Sequence, residues 1–528
     1  MRLPTILQAR LAKTGRTGFE STRPARPART APHTAGKLQR APRVVRPGPR
    51  GWAGPGGGAD GWVEAPLEWR GTTRQVCGLW PHAAGSGVPN IGTVLGQHYF
   101  TATTVAADPI NFLLHKVISN PGSFTLANAG VGKSFLTARL VVGAVFQGHV
   151  PFVMGDLKPD YVDLVARLGG QVATIGRGLG GLNVLNPGGL WQALHTAEHH
   201  LGGAEWTAAV ADFLGWQQNG VAALLELSRG ERLREHEETA LAALLTVLRD
   251  RSDTVPVLPQ LLTALSERPE LVRTVLGTRD DAEYDRLTAG LVMSLRSITT
   301  GAFGDTFAHN RQDAIDLEAP AVCLDISRIN RMDRRMEGAA LLNAWYAGSA
   351  AIFGAHLLAD AGLAPHRTYY AVMDELWRSL RAGVGMARRI DEVTRLGRTD
   401  GQAFAMVTHS PNDLELSDPE DRKIARGFLS RADMKLLGAL QDEEIDAMAG
   451  LVTLSCAERD LLTSWSSPED WGGDGTEQPG LGKFLLKVGS RPGVPFRVRR
   501  TATEATWRDT SHRWNAATRA PHPQPHRP

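Results

Sequence analysis

Residues 121–140 read PGSFTLANAGVGKSFLTARL. A short apolar run of strand type enters a loop carrying Gly130 and Gly132, and the chain leaves through Lys133 and Ser134 into a helix-forming stretch. This is the pattern of a phosphate-binding loop. Backbone N–H groups of Asn128, Ala129, Gly130, Val131 and Gly132, with those of Lys133, Ser134 and Phe135 at the helix start, would converge on phosphate oxygens. Lys133 adds a point charge, and the Ser134 hydroxyl suits magnesium. The expected ligands are ATP and Mg2+. Ala127 stands where the consensus G-x-x-x-x-G-K-[ST] opens with glycine.

Around the loop, strand and helix patterns alternate. A lead-in over 88–122 contains VPNIGTVLG and a turn signal at Asp108-Pro109. After the phosphate loop and a helix over about 132–147 comes PFVMGD at 151–156, a buried-strand pattern ending in Asp156. KPDYVDLVARLGG then reads as a helix and QVATIG as a strand. From about 190 to 300 long helical periodicity replaces the alternation, as in AEWTAAVADFLGWQQNGVAALLELS. Strand-type runs return at PAVCLDI, TYYAVMDE and AFAMVT, and GKFLLKVGSRPGVPFRVRRT at 482–501 alternates like a hairpin. Strands separated by helices predict a mostly parallel sheet with right-handed crossovers, that is, an α/β fold. The expected divisions are a tail (1–70), a lead-in and first part of the core (71–189), an all-α insertion (190–300), the second part of the core (301–505) and a frayed end (506–528).

TYYAVMDELW puts Asp374 and Glu375 at the carboxyl end of an apolar strand, where ligands sit in open parallel sheets. In this Walker B arrangement Asp374 holds magnesium and Glu375 orients, or takes a proton from, the water attacking the γ-phosphate. Asp156 and His409 end comparable strands and are candidates to face the γ-phosphate. Turn capping is the alternative for Asp156, and an ordinary loop position for His409. Arg388, Arg389, Arg395 and Arg398 lie between two of these strands; Arg398 is the candidate arginine finger, reaching a neighbouring subunit's nucleotide.

Composition sets further bounds. The chain has 528 residues and a formal net charge of +3, but residues 1–50 alone carry twelve Lys or Arg against Glu20. The Arg-, Pro- and Gly-rich stretch 1–70 cannot bury enough apolar surface to order itself; its charge suits DNA or an acidic membrane surface, but a plain solvated extension is the favoured reading. Cys77, Cys323 and Cys456 are too widely spaced for a disulfide framework or a zinc site and fit a reducing compartment. No secretory signal pattern opens the chain. Residues 339–359, AALLNAWYAGSAAIFGAHLLA, are long enough to span a bilayer, but Asn343, Ser349 and His356 interrupt them, which favours a buried helix.

Taken together, ANAGVGKSF, GDLKPDYVDLVARLGG with LNVLNP, YYAVMDELWRSL and RLGRTDGQAFAMVTHSPNDL resemble the conjugative-transfer ATPases of type IV secretion systems, the VirB-four and TraC-like group of the FtsK and HerA superfamily. The resemblance covers about residues 88–505. It implies a RecA-like P-loop core, ATP hydrolysis driving conjugation or secretion, a hexamer as the active homo-oligomer, membrane-channel partners and a cytoplasmic position at the inner face of the cell membrane. His409 stands where that group commonly has glutamine, and the group's long N-terminal domain is replaced by the basic tail. A translocase acting directly on DNA, and a nucleotide-binding scaffold without turnover, are the alternative readings.

Overall fold

The computed structural model describes residue 48 and residues 90–504, apart from 177–180, 252–253, 301–302, 308–314, 317, 330–332, 384, 395–400 and 467–479. The basic tail, the frayed end at 506–528, and Arg395 with Arg398 therefore fall outside the described residues, Gly48 excepted. The chain divides into two units after His82, and the eleven strands among the described residues belong to Ala83–Pro528.

Three strands are the spine of the site: β3 (Gly122–Leu126), β7 (Tyr369–Met373) and β8 (Gln402–Thr408). Every residue of β7 and β8 is buried, as is every residue of the neighbouring β4 (Val150–Asp156). Continuous apolar runs such as YYAVM and AFAMV suit strands covered on both faces, which is where parallel strands belong. The remaining strands are β1 (Val94–His98), β2 (Thr104–Ala106), β5 (Gln171–Thr174), β6 (Val322–Asp325), β9 (Met434–Leu437), β10 (Lys483–Val488) and β11 (Val494–Arg497). All join one sheet in the order β2-β1-β11-β10-β9-β3-β8-β7-β4-β6-β5. From β9 to β5 every pairing is parallel, whereas β2, β1, β11 and β10 extend the sheet antiparallel through β9. The phosphate-loop strand β3 is thus separated from the acid-bearing β7 by one strand, β8.

Residues 339–359 lie in the helix Arg334–Asp360, which is buried along most of its length and runs beside β4. Small side chains permit the close approach: a Cβ on Gly348 would sit 2.8 Å from Met154 Cγ. Asn343 satisfies its amide within its own helix, donating to the Ala339 carbonyl at 2.8 Å. Among the described residues no helix is long and apolar enough to cross a membrane.

Other expectations need adjustment. Asp108-Pro109 does not make a turn but starts the helix Pro109–Leu114, with Asp108 as its N-cap accepting from Asn111 N at 2.7 Å and proline at the first helical position. KPDYVDLVARLGG is helical only over Val162–Arg167, so Lys158 to Tyr161 stay in the connection after β4. Between Leu190 and Thr300 all regular elements are helices, the longest being Gly203–Arg229.

Candidate nucleotide site

The loop after β3 is shaped by Gly130 and Gly132, both left-handed at φ +83° and +102°, a conformation that glycine adopts without a Cβ penalty. Gly132 caps the helix Lys133–Phe146, whose first N–H groups have no intrahelical acceptor and point into the loop. The methyl of Ala127 is accommodated because Gly438 lies opposite; a Cβ there would come within 2.5 Å of the Ala127 Cβ. Asn128 contributes differently from its neighbours. Its amide N–H donates to the Ala439 carbonyl at 3.2 Å, and its side chain donates to Glu444 at 3.2 Å. It therefore braces the loop instead of offering its own N–H to a ligand. Ala129 and Gly130 are exposed at the loop crest, and Val131 is buried beneath them, accepting from Gly482 N at 2.9 Å. Ser134 is half-buried in the first helical turn, and Phe135 after it lies under the guanidinium groups of Arg139 and Arg500, 5.2 and 4.9 Å from its ring centre.

Lys133 folds back over its own loop, donating to the carbonyls of Ala127 at 2.5 Å and Asn128 at 3.1 Å. Burial lowers its ammonium pKa to about 8, against the opposing pull of Asp374 and Glu375. An ammonium in this position is poorly solvated, so an incoming anion would relieve it. His409, at the end of β8, closes the gap to β7: its Nδ1 is 2.8 Å from Lys133 Nζ and its Nε2 is 3.3 Å from Glu375 Oε2. Asp413 holds the backbone of this corner, accepting from Thr408 Oγ1 at 2.8 Å, His409 N at 3.2 Å and Ser410 N at 3.0 Å.

Directly after β7, Asp374 Oδ1 accepts from Glu375 N at 2.8 Å and Oδ2 from the Tyr161 hydroxyl at 2.9 Å. Burial first, and the neighbouring Glu375 charge second, push the Asp374 carboxyl pKa up. Glu375 adopts φ +55°, an uncommon left-handed conformation for a residue with a side chain, as it caps the helix Leu376–Leu380. Its Oε2 also accepts from Trp377 Nε1 at 2.6 Å, and its Oε1 pairs with Lys158. Burial would raise its pKa, but the hydrogen bonds from His409 and Lys158 outweigh that and hold the carboxylate well below its usual range. Asp156 caps the turn after β4, accepting from Tyr161 N at 2.6 Å, and so meets the site through Tyr161.

The structure thus brings Lys133, Asp374, Glu375 and His409 to one point and puts Asp156 behind it. Arg388 and Arg389 lie instead on the helix Met386–Thr394, where Arg389 is buried against Glu226. Sequence reasoning assigned no role to Lys158, Tyr161, Trp377 or Asp413. Each lies within five residues of a site acid or of His409, which was the available signal.

Magnesium fits this donor set. A hydroxyl and a carboxylate are hard oxygen ligands, and the buried acid pair is a place where a cation relieves like-charge repulsion. Among the described residues no cluster of three His, Cys, Asp or Glu is arranged for a metal.

No protein-family model matches the chain, and no curated protein matches it in sequence. Solved structures do match. VirB4 of Thermoanaerobacter pseudethanolicus superimposes with a TM-score of 0.57 at 18% identity, covering 80% of this chain and 100% of the other. The plasmid coupling protein TrwB, in complex with ADP and Mg2+, gives 0.44 at 13% identity over 79% of this chain and 98% of its own. The first of these shows that the chain shares the VirB4 fold.

Proposed function

We propose that the chain is an ATPase motor, binding MgATP on the loop after β3 and hydrolysing it to energise conjugative transfer of DNA or protein through a type IV secretion-like system. The observation that carries the reading is the convergence of Lys133 with Asp374 and Glu375 from strands that are not adjacent, bridged by His409 at 2.8 and 3.3 Å. A helix cap or a surface ion pair has no reason to gather these groups around a glycine loop.

The residue roles follow from the chemistry. Lys133 and the helix N-terminus hold the β- and γ-phosphates. Ser134 and Asp374 would hold magnesium, which supplies charge neutralisation on the phosphate oxygens. Glu375 orients the attacking water and is placed to accept its proton as the bond between the γ-phosphorus and the bridging oxygen breaks. His409, between Lys133 and Glu375, is positioned to register the terminal phosphate. The likeness to VirB4 supports the fold of the motor; a place in a secretion or conjugation machine, membrane-channel proteins as partners, and Arg398 of an adjoining subunit as finger in a hexamer complete the proposal.

Lys133→Ala tests the site. Because Lys133 neutralises phosphate charge both before and during transfer, the variant should lose measurable ATP binding by calorimetry and lose hydrolysis. Turnover at the wild-type rate would refute the assignment. Hydrolysis stimulated by DNA, with a steep salt dependence, would instead indicate a translocase gripping DNA itself.

A further inference from the structure

Glu375 presents two oxygens, and they are engaged very differently. Oε2 accepts from Trp377 at 2.6 Å, His409 at 3.3 Å and Arg378 at 3.4 Å, which lie on the helix after β7 or directly after β8. Oε1 is held by the Lys158 ammonium, which reaches in from the loop after β4. A carboxylate can orient a water only through an oxygen that is free to accept, within about 2.6–3.2 Å of it. As it stands, Oε2 is shared among three donors and the Lys158 ammonium competes with water for Oε1.

Oε1 is the oxygen most easily released. The Lys158 side chain is 45% exposed, so water can solvate its ammonium once it leaves Oε1. Arg378, by contrast, is anchored by a second carboxylate, Glu337, at 2.5 Å. Lys158 also stands close enough to Lys133 for the two charges to repel. Lys133 feels the charges of both Lys158 and Glu375, so the two cations and the glutamate share one neighbourhood, into which the terminal phosphate of a triphosphate held on Lys133 would reach.

We propose that Lys158 is a γ-phosphate-dependent switch: with no nucleotide it pins Glu375 through Oε1, and a bound nucleoside triphosphate draws it onto the terminal phosphate and frees Oε1 to orient the attacking water. No bond is made or broken in the exchange; an ammonium changes one anionic partner for another. Charge on the terminal phosphate and competence of the glutamate then arrive together. A diphosphate, lacking the third phosphate, leaves the pin in place. The inference rests on the nucleotide site proposed above.

The test compares magnesium complexes of ADP and a non-hydrolysable ATP analogue by calorimetry on the full-length chain, as wild type, Lys158→Met and Lys158→Arg. Lys158→Met should lose about tenfold in affinity for the triphosphate analogue, since one charge-assisted contact is removed, while ADP affinity stays within about twofold. Lys158→Arg should restore the preference. A fluorine label on the tryptophans, with the Trp377 resonance assigned through Trp377→Phe, supplies a readout without turnover. In wild type that resonance should move with the triphosphate analogue and not with ADP, because Glu375 shifts against the Trp377 N–H. If Lys158→Met leaves the triphosphate-to-diphosphate ratio unchanged, or weakens both nucleotides in parallel, the switch is refuted. Lys158→Gln offers the same comparison should the methionine variant fold poorly. Failure of the wild type to bind either nucleotide would be a different result, overturning the nucleotide site itself.

Discussion

Glu375 shows how much of the chemistry depends on one backbone position. In its left-handed conformation the side chain meets Trp377 on the helix it caps and, beyond that helix, Lys158 and His409. Such geometry costs free energy in a non-glycine residue and persists only where the surroundings hold it, here through Asp374, Trp377 and the buried end of β7. The acids and Lys133 were legible in the sequence because each ends or follows an apolar run beside a glycine loop or a strand. Tyr161 was not, because its role arises only when the turn after β4 places its hydroxyl against Asp374. Tyr161→Phe removes that donor while keeping the ring. Loss of a partner that orients a metal ligand typically weakens metal binding by ten- to a hundredfold, so the magnesium concentration for half-maximal hydrolysis should rise by about tenfold. A magnesium titration of activity checks this, and an unchanged midpoint would remove Tyr161 from the site.

Between elements, the helical region is tied to the sheet by buried charge. Arg389 on the helix Met386–Thr394 donates to Glu226 on the helix Gly203–Arg229 at 3.2 Å, and both side chains are almost wholly buried. Burial alone would lower the arginine's pKa, but Glu226 more than compensates. A buried pair is weak evidence of net stabilisation, yet removing one member leaves an uncompensated charge. Glu226→Ala should therefore destabilise the protein by about 3 kcal/mol, read as a lower midpoint in urea. A change within about 0.5 kcal/mol would show that Glu392 and Glu238 suffice for Arg389. These long helices were legible from periodicity. Short strands were less so: β9 reads MKLL, and its Lys435 interrupts the apolar pattern while lying buried, its ammonium turned back to the Ala432 carbonyl. The β10–β11 hairpin, by contrast, was legible from its alternation, even though Lys487 in β10 is buried and paired with Glu458 at 2.8 Å.

For the molecule as a whole, the α/β class and the mostly parallel sheet followed from alternating strand and helix patterns, but the strand order did not. Nothing local in AFAMVT says that β8 lies between β3 and β7; that comes from crossovers closing over a common core. The order matters, since it sets His409 midway between Lys133 and Glu375. Assembly adds a further expectation. If Arg398 acts across a subunit boundary, specific activity should rise with protein concentration and level off once oligomers form. Mixing Arg398→Ala with Glu375→Gln should then restore part of the activity, because mixed assemblies contain interfaces with both groups intact; simple averaging of the two mutants would exclude a shared site. The central claim, that Lys133 and Glu375 serve one γ-phosphate, meets its most direct test in single-turnover release of labelled phosphate from bound ATP. Glu375→Gln should hold ATP about as tightly as the wild type and release phosphate at least about a hundredfold more slowly, since the amide keeps the shape but accepts no proton. Loss of affinity with an unchanged rate per bound nucleotide would contradict it.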